Sequence, residues 1–148
     1  MSATDQRPTV LFLCTGNSAR SQLAEALLRH LAADRFVALS AGTRPAAEVH
    51  PLALAVLEER GIPTDGLTPK TVEAIGQKHE VDHLITVCAA AAEACPISGE
   101  GRGGEHWPID DPAAAVGSES ERLDVFRATL ATIEQRLRRW LEQDHDRR

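Results

Sequence analysis

The sequence predicts one α/β domain built on a four-stranded parallel sheet with helices on both faces. Three observations lead there. Short apolar runs without polar alternation recur along the chain, as in strands buried on both faces. Stretches of helical periodicity alternate with them. Length and composition, 148 residues with 43% hydrophobic and 26% charged, suit a single globular domain over residues 1–148, with 1–8 and 144–148 expected to be flexible.

The first strand is residues 9–13, a run of Thr9, Val10, Leu11, Phe12 and Leu13 that ends at Cys14. After a small polar loop, apolar residues return at Leu23, Leu27, Leu28 and Leu31, which is helical spacing. Phe36 to Leu39 gives a second strand running into Ser40, Ala41 and Gly42, and Gly42 with Arg44 and Pro45 marks a loop. A second helix fits residues 51–60, with Pro51 at its first position, Gly61 at the C-terminal cap and Pro63 preventing continuation. Residues 68–78, carrying Val72 and Ile75, predict a short exposed helix. A third strand over 81–87 leads into Cys88, and the alanine-rich residues 89–94 predict a helical turn. Residues 98–104 are polar and glycine-rich, the clearest loop in the chain. A short strand and a proline-containing loop occupy 106–112. The last helix opens on Ser118 and Glu121, a capping-box pair, and carries Leu123, Phe126, Leu130, Ile133, Leu137 and Trp140 at steps of three and four. Under three heptads of that spacing describe one helix docked on a sheet rather than a coiled coil.

Composition excludes two partner classes. Sixteen Lys and Arg against 22 Asp and Glu leave no basic face for nucleic acid, and three Phe, two Trp and no Tyr leave little for base stacking. No apolar run reaches the roughly 18–20 residues of a membrane span. The three cysteines are an odd number in a chain whose first eight residues are polar and lack a signal-peptide core, which predicts a reducing, cytoplasmic setting. Each cysteine is then a buried small hydrophobe, a metal ligand or a working thiol. Zinc is disfavoured, because the six residues between Cys88 and Cys95, with His83 and His106 nearby, do not match short ligand spacing, so no metal site is expected. His30 and His50 read as surface or packing residues.

Chemistry concentrates after the first strand. Cys14 is followed by Thr15, Gly16, Asn17, Ser18 and Ala19, all small, and then by Arg20 and Ser21, which open a helix. Small side chains let successive backbone N–H groups turn inward as an anion cradle, and the helix N-terminus adds about half a positive charge there. Arg20 offers a planar fork of donors to two oxygens of a tetrahedral oxyanion. The same field and the Ser21 hydroxyl favour a nucleophilic thiolate at Cys14 over an inert buried cysteine. Expelling an oxygen from the bound anion calls for an acid. Asp110 and Asp111 are both candidates. Pro112 holds Asp111 extended, while a turn or helix cap would explain either aspartate as well.

These residues resemble a known family. The run from Cys14 to Ser21 after an apolar strand, Ser40-Ala41-Gly42 after the second, and Trp107 with Asp110-Asp111-Pro112 near the last are similar to the low-molecular-weight protein tyrosine phosphatase superfamily. Within it they match the arsenate reductases, and Val87-Cys88 followed after six residues by Cys95-Pro96 is similar to the thioredoxin-coupled type. The resemblance runs from about Val10 to Trp140. It implies Cys14 as nucleophile, Arg20 as oxyanion clamp and Asp111 as general acid. It also implies a thiol relay in which Cys88 displaces arsenite from the Cys14 adduct and Cys95 resolves the resulting disulfide. Arsenate would be the substrate, with phosphate or sulfate competing. No cofactor is bound, and reducing equivalents come from thioredoxin, mycoredoxin or a low-molecular-weight thiol system. A tyrosine phosphatase is the alternative; it needs no second thiol, whereas reducing arsenate takes two electrons from a thiol pair.

Residues 88–95 as a continuous helix would hold the two Cα atoms about 10 Å apart, beyond the roughly 7 Å a disulfide tolerates, so the segment is expected to refold during turnover. The chain departs from the family twice. Some relatives bind potassium through an Asn, a Glu and an Asp; Asn17 and Glu25 match, but Lys70 stands where the Asp would be. Lys70 is therefore expected to pair with Glu25. Ala19 stands where several relatives carry another cysteine.

Overall fold

The computed structural model describes residues 6–88 and 104–143. The expected turn at 89–94, Cys95, most of the glycine-rich loop and the two termini lie outside the described residues. Strand β1 (Thr9–Cys14) is buried along its whole length. Its alternate side chains serve two cores, because successive strand residues point to opposite faces. Val10, Phe12 and Cys14 join the larger core, which helices α1 (Arg20–Ala32), α2 (Pro51–Glu59) and α4 (Glu119–Leu141) supply through Leu23, Leu27, Leu57, Phe126, Ile133 and Trp140. Leu11 and Leu13 face the smaller core under helix α3 (Val72–Lys78), packed with Ala41 and Ile75. This two-sided burial explains the uninterrupted apolar run.

Strands β2 (Val37–Gly42), β3 (His83–Thr86) and β4 (Glu105–His106) complete a four-stranded sheet in the order β2-β1-β3-β4, all parallel. The fold is the expected single α/β domain with helices on both faces. In the ladder Cys14 pairs with Gly42 and Leu13 with Thr86, while the Val87 N–H donates to the Leu13 carbonyl at 2.9 Å. Cys14, Gly42 and Cys88 therefore leave neighbouring strands at one carboxyl edge, where parallel sheets bind ligands.

Several elements differ from expectation in extent, β2 among them, which continues to Gly42. Helix α3 begins at Val72 rather than Thr68. Pro69 keeps Thr68 out of the helical region, and Thr71 is the N-cap, its Oγ1 accepting from the Ala74 N–H at 3.0 Å. The residues ahead of it run beside β2 instead: the Gly42 N–H donates to the Lys70 carbonyl at 2.8 Å, and Thr71 bridges to Gly42. The third strand is shorter than 81–87. At the other end of the chain the capping box is present in both directions, Ser118 with Glu121, and fixes the start of α4.

Candidate active site

Residues 14–20 form a tight loop between β1 and α1, and the carbonyls of Thr15 to Ala19 point outward. The Arg44, Ala46 and His50 N–H groups donate to the carbonyls of Thr15, Gly16 and Ser18 at 3.0, 2.8 and 2.9 Å. Gln22 Nε2 donates to the Asn17 carbonyl at 2.9 Å, and the Leu23 N–H takes that of Ala19 at 2.8 Å. A peptide unit whose C=O faces out turns its N–H the other way. The amides of Gly16, Asn17, Ser18 and Ala19 therefore line the inside of the loop. Ala19 supplies no side-chain cap to α1, so the first amides of that helix are left for a bound anion.

Asn17 sets this shape. Its φ is +50°, the left-handed region that asparagine tolerates best among residues with a side chain, and it is fully buried. Its Oδ1 accepts from the Lys70 N–H at 2.8 Å, which fixes the amide orientation and sends Nδ2 to Ser21 Oγ at 2.7 Å and Ser40 Oγ at 2.9 Å. Ser40 in turn donates its hydroxyl hydrogen to Glu25. Ser21 accepts from Asn17, so its hydroxyl hydrogen is left for Cys14 Sγ, 3.0 Å away. The Asn17 N–H also reaches that sulfur, at 3.3 Å. Two donors thus converge on one sulfur. Gly42 closes the floor: a Cβ there would sit 2.5 Å from the Thr15 carbonyl oxygen.

Arg20 is almost fully buried at the loop's end. Its Nη1 donates to the Ile109 carbonyl at 2.9 Å, and its Nη2 lies 3.8 Å from Asp111 Oδ2. Asp111 is extended, as Pro112 requires, and about two-fifths exposed. Its other oxygen accepts from the Ala113 N–H at 3.0 Å and caps the short 3-10 turn Pro112–Ala114. The capping role weighed for this aspartate is thus present, alongside its approach to Arg20. Cys14, Gly16, Asn17, Ser18, Ala19, Arg20 and Asp111 line one small depression of about 50 Å³. Asp110 lies outside it, in a groove with Pro108 and Val125.

Cys14 carries a free thiol. Cys88 is buried and disulfide-bonded, so its partner is not Cys14. Cys95 lies outside the described residues. Lys70 Nζ is 3.6 Å from Glu25 Oε1, the expected pair, and it also donates to the Thr68 carbonyl at 2.6 Å. Arg29 binds the other Glu25 oxygen. Among the described residues no group of three or more His, Cys, Asp or Glu could hold a metal ion.

Three contributors were not expected from the sequence. The strap at 44–50 and Gln22 act through main-chain hydrogen bonds, which leave no side-chain signature. His50 is more than a packing residue: it caps α2, its Nδ1 accepting from the Leu52 N–H at 3.1 Å, and its ring lies on Phe126 with centroids 4.7 Å apart. Its place directly before Pro51 was the available signal. Burial, then the Arg122 guanidinium, hold its imidazole below the usual range, while Asp111 pulls the other way. The folded protein thus binds this proton less readily than the unfolded chain. The stabilisation is complete above about pH 6.5 and is lost as pH falls through the lowered native value, because a proton on Nδ1 removes the cap. His50→Asn keeps a capping acceptor that does not titrate. Melting temperatures from pH 7.5 to 5 should fall less for the variant than for the wild type; parallel curves would count against the cap.

A family model described as low molecular weight phosphotyrosine protein phosphatase matches residues 9–147. The chain is 36% identical over 133 residues to a protein named arsenate reductase from Shouchella clausii, covering 90% of this chain and 94% of that one. Among solved structures it is similar to an arsenate reductase in the phosphate binding state, with 30% identity, a TM-score of 0.72 and coverage of 91% and 97% of the two chains. A thioredoxin-dependent arsenate reductase from Corynebacterium glutamicum superimposes with a TM-score of 0.59 at 28% identity, covering 97% of this chain and 66% of the other.

Proposed function

Since the chain belongs to the low molecular weight phosphotyrosine protein phosphatase family, we propose that it applies that family's cysteine loop to arsenate, reducing it to arsenite through three thiols. One observation carries the reading. A free Cys14 faces an anion nest, and a second, disulfide-bonded cysteine, Cys88, leaves the adjacent strand at the same edge. Phosphoester hydrolysis has no use for that second thiol.

In the proposed sequence the Cys14 thiolate attacks arsenic, and an arsenate hydroxyl departs as water with a proton from Asp111. The inward amides of residues 16–19 and the Arg20 fork hold the remaining oxygens. Cys88, as a thiolate, then attacks Cys14 Sγ. The S–S bond forms, the S–As pair stays on arsenic, and As(V) becomes As(III). Cys95 displaces Cys14 from Cys88, restoring the Cys14 thiolate and leaving a Cys88–Cys95 disulfide for an external dithiol. A free Cys14 beside a disulfide at Cys88 fits the end of that sequence. Thioredoxin is the reductant the Corynebacterium relative suggests, with mycoredoxin or a low-molecular-weight thiol as the other sources. Dependence on a reducing thiol pool suits the cytoplasm. No helix among the described residues is long and apolar enough to cross a membrane.

The deciding experiment follows NADPH oxidation with arsenate, thioredoxin and thioredoxin reductase, alongside phenyl phosphate ester hydrolysis, for the wild type and Cys95→Ser. The variant should lose arsenate turnover and keep ester hydrolysis. Rapid ester hydrolysis with no arsenate turnover in the wild type would make the protein a phosphatase.

A potassium ion does not fit beside this loop. The Asn17 oxygen already accepts from Lys70 N–H, the Glu25 carboxylate faces Ser40, Arg29 and Lys70, and the Lys70 ammonium would repel a second cation. Arsenate turnover should therefore be the same in sodium and potassium buffers of equal ionic strength. A severalfold gain in potassium would overturn this.

A further inference from the structure

The protein has two tryptophans, and both donate to one carboxylate. Trp107 Nε1 reaches Glu105 Oε1 at 2.9 Å, and Trp140 Nε1 reaches Glu105 Oε2 at 3.2 Å. The two indoles are 2% and 3% exposed. Buried indole N–H groups need acceptors, but sharing one carboxylate does more: it joins β4, the start of the acid loop and the last turn of α4 at a single point. Arg136 lies over the Trp107 ring, 5.5 Å from its centroid, and covers the same side chain from outside.

Glu105 takes no part in the Cys14 site, yet its position is mechanically significant. Strand β4 has two residues and, among the described residues, pairs only with β3, too short a ladder to hold itself firmly. Ahead of it the chain leads back to Cys88. Behind it, four residues on, the Ile109 carbonyl holds Arg20 at 2.9 Å, and Asp111 stands 3.8 Å from the same guanidinium. Any displacement of β4 would pass to both.

On the relay reading above, Cys88 is in turn a thiol, a partner of Cys14 and a partner of Cys95. Each bond fixes a different pair of Cα atoms within about 7 Å, so the chain between Cys88 and β4 is pulled differently in each state. We propose that Glu105 is a positioning residue. Its two indole bonds anchor β4 and keep Ile109 and Asp111 at Arg20 whatever the thiol state of Cys88. Gln in its place accepts from one indole and turns an NH₂ toward the other, which opens the anchor while keeping the side chain's shape.

The test measures phosphate affinity in two redox forms, as protection of Cys14 from iodoacetate followed by the mass of its peptide. The full-length protein is taken either fully reduced or oxidised at Cys88, with the thiol state confirmed by mass. In the wild type the phosphate Kd should agree within about twofold between the forms. In Glu105→Gln it should weaken about tenfold in one form relative to the other. Trp140→Phe removes one donor and keeps a ring beside Phe36, whose centroid is 5.1 Å from that of Trp140; it should shift in the same direction by less. A purely structural role for Glu105 would weaken both forms equally, and that result would overturn the proposal. So would a wild-type Kd that already differs tenfold between forms. Because neither arsenate nor thioredoxin is used, failure of the reductase reading would appear separately, in the coupled assay.

Discussion

Cys14→Ser should abolish arsenate reduction and phosphate ester hydrolysis together, by more than about 10⁴-fold in kcat, while phosphate still binds within a few fold of its wild-type affinity. The two halves of that result have different causes. Affinity resides in the inward amides of residues 16–19, the start of α1 and the Arg20 guanidinium. The carbonyls that orient the amides are tied to residues 44–50, Gln22 and Leu23, none of which the substitution touches. Rate resides in the sulfur. A cysteine sulfur is intrinsically a far stronger nucleophile at neutral pH than a serine hydroxyl, and the hydrogen bonds from Ser21 and the Asn17 N–H do not bridge that gap. Steady-state rates on both substrates, with phosphate affinity measured by calorimetry, separate the two. Residual turnover above about 1% would assign the nucleophile elsewhere.

The part of this site carried by side chains in one stretch was legible in the sequence. An apolar strand buried on both faces, small residues at 15–19 and Arg20 at a helix start leave few other arrangements, and the structure shows the strand, loop and helix in that order. The Lys70–Glu25 pair was also legible, because a charge reversal in a resembling pattern calls for a partner. Asp111 was not separable from Asp110 on local grounds; the fold separates them by turning one toward Arg20 and the other into a groove. The strap at 44–50 was invisible because it works through backbone N–H groups that every non-proline residue has. His50 was underread because a histidine accepting at Nδ1 is an unusual helix cap. Glu105 was missed because its two partners stand 2 and 35 residues away, a separation that no local pattern encodes.

Arg20→Lys should cost about 10²- to 10³-fold in kcat/KM for arsenate and for a phosphate ester alike, although the charge is kept. The reason is geometric. In the wild type Nη1 is held by the Ile109 carbonyl at 2.9 Å, which sets the plane of the guanidinium and leaves the rest of the fork directed toward the loop and Asp111. A lysine ammonium is one point. If it bonds to the Ile109 carbonyl it leaves the anion's oxygens to the backbone amides, and if it moves to the anion it leaves a buried carbonyl without its donor. Either choice also removes the planar group beside Asp111, the acid of the proposed mechanism. The loss should therefore divide between KM, through weaker ground-state binding, and kcat, through a misplaced acid. Cys14→Ser, by contrast, should change kcat with little effect on phosphate affinity. An Arg20→Lys variant within threefold of the wild type in both parameters would mean that charge alone, supplied through the amide nest, is enough to hold the oxyanion.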